Sequence, residues 1–405
     1  MTTEHQADRF VLISADGHAG GNHDQYRAYL EAKYLDDFDA WRGRYSNPFK
    51  DLTGGTRNRN WDDERRLSEL EQDGVVAEVL FPNTIPPFFP TGAVVARPPT
   101  LDDYALRLAG VRAHNRWLAD WCAGHPDRRA GIGQIFLNNI DDAIADVRWC
   151  HEHGLRGGVL VQPVPDDMKH IKPLYAPDHD RLWATCEDLG VIVNTHSGGA
   201  GMPDYGPYPA AGLLWIAETS FFSRRPLTQM IVGGVFERFP GLRFVLTEQG
   251  ASWIAPTLKQ LDSYHGQMKG AGRIGELKYD SDEALPMKPS EYFARNCWVG
   301  VSFPSPVEAD ARHDIGVERF LWGSDYPHDE STYPHTREAL RRAFAGAPET
   351  ELRLVLGENA AGLYDFDLPR LRAIADRVGP TFAELSVPYE GGVPEGNRSP
   401  AFVRP

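Results

Sequence analysis

The chain lacks the features that would place it in a membrane, on nucleic acid or in an oxidising compartment. No stretch approaches the roughly 18 consecutive apolar residues of a membrane span. The polar start, Met1 to Phe10, leads into an apolar run (Phe10 to Ile13) far too short for a secretory signal. No lysine- or arginine-rich block occurs, and a net charge of -15 works against phosphate backbones and anionic lipid alike. The only four cysteines are Cys122, Cys150, Cys186 and Cys297. They show no CxxC spacing, which speaks against both a thiolate zinc site and a disulfide framework. Cys122, Cys150 and Cys186 fall in helix-like segments and read as core thiols. The expectation is a cytoplasmic protein with neither nucleic acid nor membrane as a partner.

What is present suits a large α/β enzyme. Of 405 residues, 41% are hydrophobic, enough for a sizeable core, and 39 glycines with 31 prolines suit many short connections. Short apolar runs alternate with amphipathic segments, the pattern of a parallel sheet wrapped by helices. Strands are expected at 10–15, 75–81, 130–137, 158–161, 191–195, 243–247, 297–302 and 319–323. Helices are expected at 61–72, 101–123, 141–153, 180–189, 227–238 and 334–344. Eight strands of this kind close most economically into a (β/α)8 TIM barrel. Residues 1–378 are read as the barrel domain, with long insertions near 20–60, 198–225 and 266–289. Each insertion is placed near the side where barrel loops build the active site. Residues 379–405 form a Pro/Gly-rich C-terminal arm, lying over the surface or onto another subunit, and such an arm suits a homodimer.

A barrel enzyme's chemistry sits at the C-terminal ends of its strands. Strand one ends Ser14-Ala15-Asp16-Gly17-His18, and residues two apart on an extended chain point the same way. Strand five ends Thr195-His196, strand six Thr247-Glu248-Gln249-Gly250, and strand eight Asp325-Tyr326-Pro327-His328-Asp329-Glu330. Each residue has an ordinary explanation. A lone histidine after a strand is commonly a loop residue, and a lone aspartate commonly caps the next helix. Metal-type ligands from four strands at one rim are a different matter, and together they point to a metal site. His23, in a Gly-rich loop, reads as surface, His335 as a helix-start residue, and His151 and His153 as helix-end residues unrelated to the site. Pro86-Pro87-Phe88-Phe89-Pro90, Tyr205, Tyr208, Trp215, Phe221 and Phe222 could wall an apolar or aromatic pocket, or simply pack long loops. Arg224 and Arg225 could meet a carboxylate or phosphate, or be solvated surface.

With these residues in place, the pattern resembles the amidohydrolase superfamily. It is nearest the branch containing the aminocarboxymuconate-semialdehyde and resorcylate decarboxylases. The resemblance runs from about Phe10 to Tyr364. It includes Glu237-Arg238-Phe239-Pro240, Trp322-Gly323-Ser324-Asp325-Tyr326-Pro327-His328 and Gly357-Glu358-Asn359-Ala360. It implies that Asp16, His18, His196 and Asp325 hold a divalent metal. One position departs from the pattern. Where those decarboxylases end strand six in histidine, this chain has Glu248. A carboxylate is anionic, a harder ligand, and able to bridge two cations.

Two readings follow. Counting Glu248, and adding His328 and Glu330 as further ligands, the set is rich in carboxylates and suits iron or manganese at least as well as zinc. It is then similar to a branch of barrel-fold nonheme diiron oxygenases. That likeness implies two irons, an external electron donor and hydroxylation of an apolar small molecule, with a coenzyme A thioester as one option. The alternative is a mononuclear zinc or manganese decarboxylase or hydrolase acting on a small carboxylic acid. Glu248, Asp325 and His328 are the expected catalytic residues, with Glu248 or Asp325 moving the proton in the second reading. The oxygenase is the first expectation, because a named residue, Glu248, argues for it.

Overall fold

The computed structural model describes residues 9–45, 57–278 and 285–404. Its main sheet has eight strands, each parallel to the next along the chain. They are β1 (Leu12–Ala19), β2 (Val75–Pro82), β3 (Arg129–Gln134), β4 (Gly158–Leu160), β5 (Val193–His196), β6 (Phe244–Thr247), β7 (Cys297–Ser302) and β8 (Phe320–Gly323). The sheet returns on itself. Just past β8 the amide of Asp325 donates to the carbonyl of Asp16, and the amide of His18 donates to that of Tyr326, both at 2.8 Å. The result is the (β/α)8 barrel expected from the alternation of apolar runs.

Both faces of the strands are buried, which is why they read as continuous apolar runs. Neighbouring side chains divide between two cores. Ile13, Ile132, Leu160, Ile192, Val245 and Leu321 pack together in one, joined by Tyr364 from the helix Asn359–Tyr364. Leu12, Val159, Val193, Phe244, Leu246 and Trp322 belong to the other, with the surrounding helices. Cys122, Cys150 and Cys186 lie on those helices, and all four cysteines are buried and unpaired. Among the described residues no helix is long and apolar enough to cross a membrane.

The insertions differ from their sequence reading. Much of 198–225 is helical: one helix runs Ala211–Val232, with Pro226 inside it, where a helix was expected only from 227. The third insertion belongs to an αβ connection, since it follows the helix Ile254–Ala271 and precedes β7. Its described residues therefore lie at the end of the barrel opposite the strand C-termini, not beside them. Positions 46–56 of the first insertion and 279–284 of the third lie outside the described residues. The C-terminal arm folds onto its own barrel. Ala401 and Phe402 pack on Phe303 and Ala339, and Arg342 donates to the Ala401 carbonyl at 2.8 Å.

Candidate active site

Strand β1 is irregular where it matters. Its pairing with β2 shifts register between Ser14 and Gly17, as a bulge does when it re-aims side chains. Asp16 and His18 are both fully buried, and Asp16 Oδ1 stands 3.3 Å from His18 Nε2. From β5, His196 brings Nε2 to 3.3 Å of the same oxygen. From the end of β8, Asp325 places Oδ1 3.1 Å from His18 Nε2. Glu248, ending β6, has Oε2 3.4 Å from His196 Nδ1. Asp325 (φ 64°) and Glu248 (φ 58°) both leave their strands through left-handed backbone. That conformation is uncommon outside glycine and recurs at functional sites.

Three overlapping ligand groups result, each with atoms within 4.8 Å of one another: Asp16–His18–His196, His18–Asp325–His328 and Glu248–Asp325–Glu330. All seven residues named from the sequence are thus brought together. His23 is elsewhere: it packs against Trp41 and bonds the Ile85 carbonyl.

The electrostatics are those of a cation site. Burial alone would raise Asp16, but His196 and His18 outweigh it and hold the carboxyl far below the usual range. Burial alone would lower His18, but Asp16 and Asp325 push it up to about 10. Burial, with the Asp325 and Asp16 carboxylates, raises Glu248 well above the ordinary value. Two buried atoms, His18 Nε2 and Asp325 Oδ2, have no hydrogen-bond partner. Native proteins rarely leave such groups unsatisfied. Orphaned donor atoms amid close carboxylates and imidazoles fit a divalent metal held by Asp16, His18, His196 and Asp325.

Several supporting residues carry no ligand signature and so escape a search for one. Ser302, the last residue of β7, donates to Asp16 Oδ2. Its place at a strand end is a signal that could have found it. His328 has both ring nitrogens engaged, Nδ1 with Asp325 Oδ1 at 2.8 Å and Nε2 with Asn83 Oδ1 at 3.1 Å. The Asn83 amide in turn donates to Asn60 Oδ1 at 2.7 Å. Partners of this kind orient metal ligands. Beneath β1, Arg66 and Glu78 form a bidentate pair at 2.8 and 2.9 Å, both buried. Gly17 is needed above it, because a Cβ there would lie 2.7 Å from Glu78 Oε1.

A cavity of about 420 Å³ opens over the ligands, lined by His196, Glu248, His328 and Glu330 on one side and Val94, Val95, Trp215 and Thr219 on the other. Of the aromatic residues considered as a wall, Trp215 takes that role here. Phe89 is core packed on Phe136, and Tyr208 and Phe221 are exposed. Arg225 is paired with Asp166, and Arg224 bonds the Gln249 carbonyl. Neither lines this cavity.

Comparison with known proteins agrees with the barrel. The amidohydrolase family model matches residues 56–366. The 2-amino-3-carboxymuconate-6-semialdehyde decarboxylase of Dictyostelium discoideum is 29% identical over 198 residues, 48% of this chain. That match spans 49% of the Dictyostelium protein, about half its length. A gamma-resorcylate decarboxylase from Rhodococcus jostii (strain RHA1) is 28% identical over 64% of this chain and 77% of its own. In three dimensions, 5-carboxyvanillate decarboxylase from Sphingomonas paucimobilis superposes with a TM-score of 0.65 at 22% identity, covering 88% of this chain and all of that one (100%). A dihydroxybenzoic acid decarboxylase from Polaromonas sp. JS666, solved with bound manganese, gives 0.61 at 18% identity, covering 88% of this chain and 97% of that one. The family match over residues 56–366 makes this chain a member of the amidohydrolase family, and the carboxylates and imidazoles gathered at its strand ends suit the divalent metal of a metal-dependent enzyme.

Proposed function

We propose that the protein is a carboxy-lyase that removes the carboxyl group of a small aromatic or related acid without oxygen. The observation that carries this reading is the convergence of Asp16, His18, His196 and Asp325 at the strand ends, with His196 reaching the cavity wall beside Glu248. The matching relatives named above are decarboxylases, which favours this reading over the oxygenase expected first. A divalent metal bound there, zinc or manganese, would anchor and polarise the substrate's carboxylate and a neighbouring oxygen. The chain's own groups do the rest. Trp215 and Val94 flank the substrate body and keep water from it. Glu248 holds a proton beside the reacting carbon. As the proton adds to that carbon, the bond to the carboxylate breaks, its electron pair stays with the carbon, and CO2 departs. Solvent then reprotonates Glu248. His328, fixed by Asn83, orients Asp325.

A second reading rests on Glu248 itself. With Asp325 and Glu330 it makes an all-carboxylate group within 4.8 Å. Such a group suits a second cation, and with it the two-iron oxygenase, its electron donor and an apolar or coenzyme A-linked substrate.

Metal content per chain, measured on protein expressed with iron and purified without chelators, separates the two. One zinc or manganese, with CO2 released from aromatic hydroxy acids under nitrogen and lost in His18→Ala, is the expected result. Two irons, with turnover only when oxygen and reductant are supplied, would overturn the carboxy-lyase reading.

A further inference from the structure

The cavity over the ligands does not end at Trp215. A second chamber, also about 420 Å³, lies on the far side, lined by Met202, Pro203, Tyr205 and Gly212. Val95 and Trp215 line both chambers and form the waist between them. The second chamber is built from the insertion at 198–225, length that a barrel does not need for closure.

Size decides what the pair can hold. A cavity of about 150 Å³ suffices for a benzene ring. The chamber over the ligands, at about 420 Å³, already exceeds what a single-ring acid fills, and the second repeats that volume. Together they fall within the range of about 300–1,000 Å³ that encloses a ligand of several rings. The walls beyond the waist are about equally apolar and polar, with Pro203, Tyr205 and Trp215 on one hand and Arg97 and Asp204 on the other.

We infer that the substrate is an elongated carboxylic acid. Its carboxyl end lies beside His196 and Glu248, over the buried Asp16–His18–Asp325 cluster, and a second ring-sized segment passes Trp215 into the chamber of the 198–225 insertion. This inference rests on the carboxylate reading of the site, and deepens it by assigning the class of substrate. Trp215 and Val95 are then residues that set substrate length, and Gly212 keeps the far chamber open. A Cβ at Gly212 meets no atom within 4 Å, so a larger side chain there enters free space.

Calorimetric binding of benzoate and of biphenyl-4-carboxylate to the manganese-loaded full chain tests this. Biphenyl-4-carboxylate is expected to bind at least tenfold more tightly than benzoate. In Gly212→Trp that advantage should vanish while benzoate affinity stays unchanged, and retained benzoate binding certifies the fold of the variant. Equal affinities in the wild type, or a variant that weakens both acids alike, would overturn the inference and leave the carboxylate reading standing. Failure of both acids to bind the loaded wild type would overturn the carboxylate reading itself. Should the variant not fold, the wild-type comparison decides alone.

Discussion

The charge pattern of the site sets how its metal affinity must vary with pH. Without a cation, the protonated His18 ring offsets the charge of the Asp16 and Asp325 carboxylates. His18, wholly buried between Asp16 and Asp325, is held at about 10 against the effect of burial. Glu248 is raised well above its ordinary value by burial and by Asp325 and Asp16. A cation that takes His18 Nε2 must displace that proton, and each displaced proton raises apparent affinity about tenfold per pH unit, or about 1.4 kcal/mol. From about pH 6.5 to about pH 8.5, the one proton on His18 therefore means about 100-fold. Manganese titrations by calorimetry at both pH values, in two buffers of different ionisation enthalpy, count the protons directly. Glu248→Gln should lower the count if Glu248 gives up a proton on becoming a ligand, and leave it unchanged if it is not a ligand. Affinity that is flat across this range would refute the electrostatic account. The same shift acts on the fold. Because the folded value of His18 lies above the unfolded value of 6.5, its stabilisation is complete below 6.5 and is lost as pH rises through about 10. Metal-free protein should therefore weaken in urea on alkalinisation toward that pH, and manganese should abolish the loss.

Other consequences concern the groups around the site. Arg66→Met leaves Glu78 buried without its partner and should cost about 3–5 kcal/mol in urea unfolding, with much of the loss recovered in Arg66→Met/Glu78→Leu. No recovery in the double variant would show that packing, not charge, dominates there. Asp73 is pushed up to about 7 chiefly by burial, although it accepts bonds from Thr336 at the start of the helix Thr336–Phe344. Since the folded state holds that proton more firmly, stability should fall as pH rises from about 4 to about 8, by at most about 4 kcal/mol. Asp73→Asn should flatten this profile, and an unchanged slope would exonerate Asp73. Asn83→Leu removes the acceptor from His328 Nε2. It should lower kcat at least tenfold with metal content unchanged, whereas loss of metal would make Asn83 part of the binding set instead.

The barrel was legible because its strands are buried on both faces and so carry uninterrupted apolar runs, as in Val75-Val76-Ala77 and Phe244-Val245-Leu246. The juxtaposition at the rim was legible because chain order and strand ends suffice to place Asp16, His18, His196, Glu248 and Asp325 together. The helix Ala211–Val232 was not, since its first turns expose Leu213, Ile216 and Phe221 and so lack the amphipathic period. Pro226 also argued for a break where the structure has none. Ser302 and Asn83 went unmarked for another reason. They act through hydrogen bonds to a ligand, and only coordinates pair them with Asp16 and His328.

The seam where the barrel closes has a consequence for how the enzyme matures. Ser14 and Ser324, 310 positions apart, share a hydrogen bond there, and the Asp325 amide is tied to the Asp16 carbonyl. The first and last strands thus meet at the ligands themselves, and contacts of such sequence separation are slow to form because a long loop must be closed first. On a translating ribosome, the half-site of Asp16, His18 and His196 must wait until strand β8 has emerged. A cation held at these residues would bind only after β8 has emerged, and would tie the first strand of the barrel to the last.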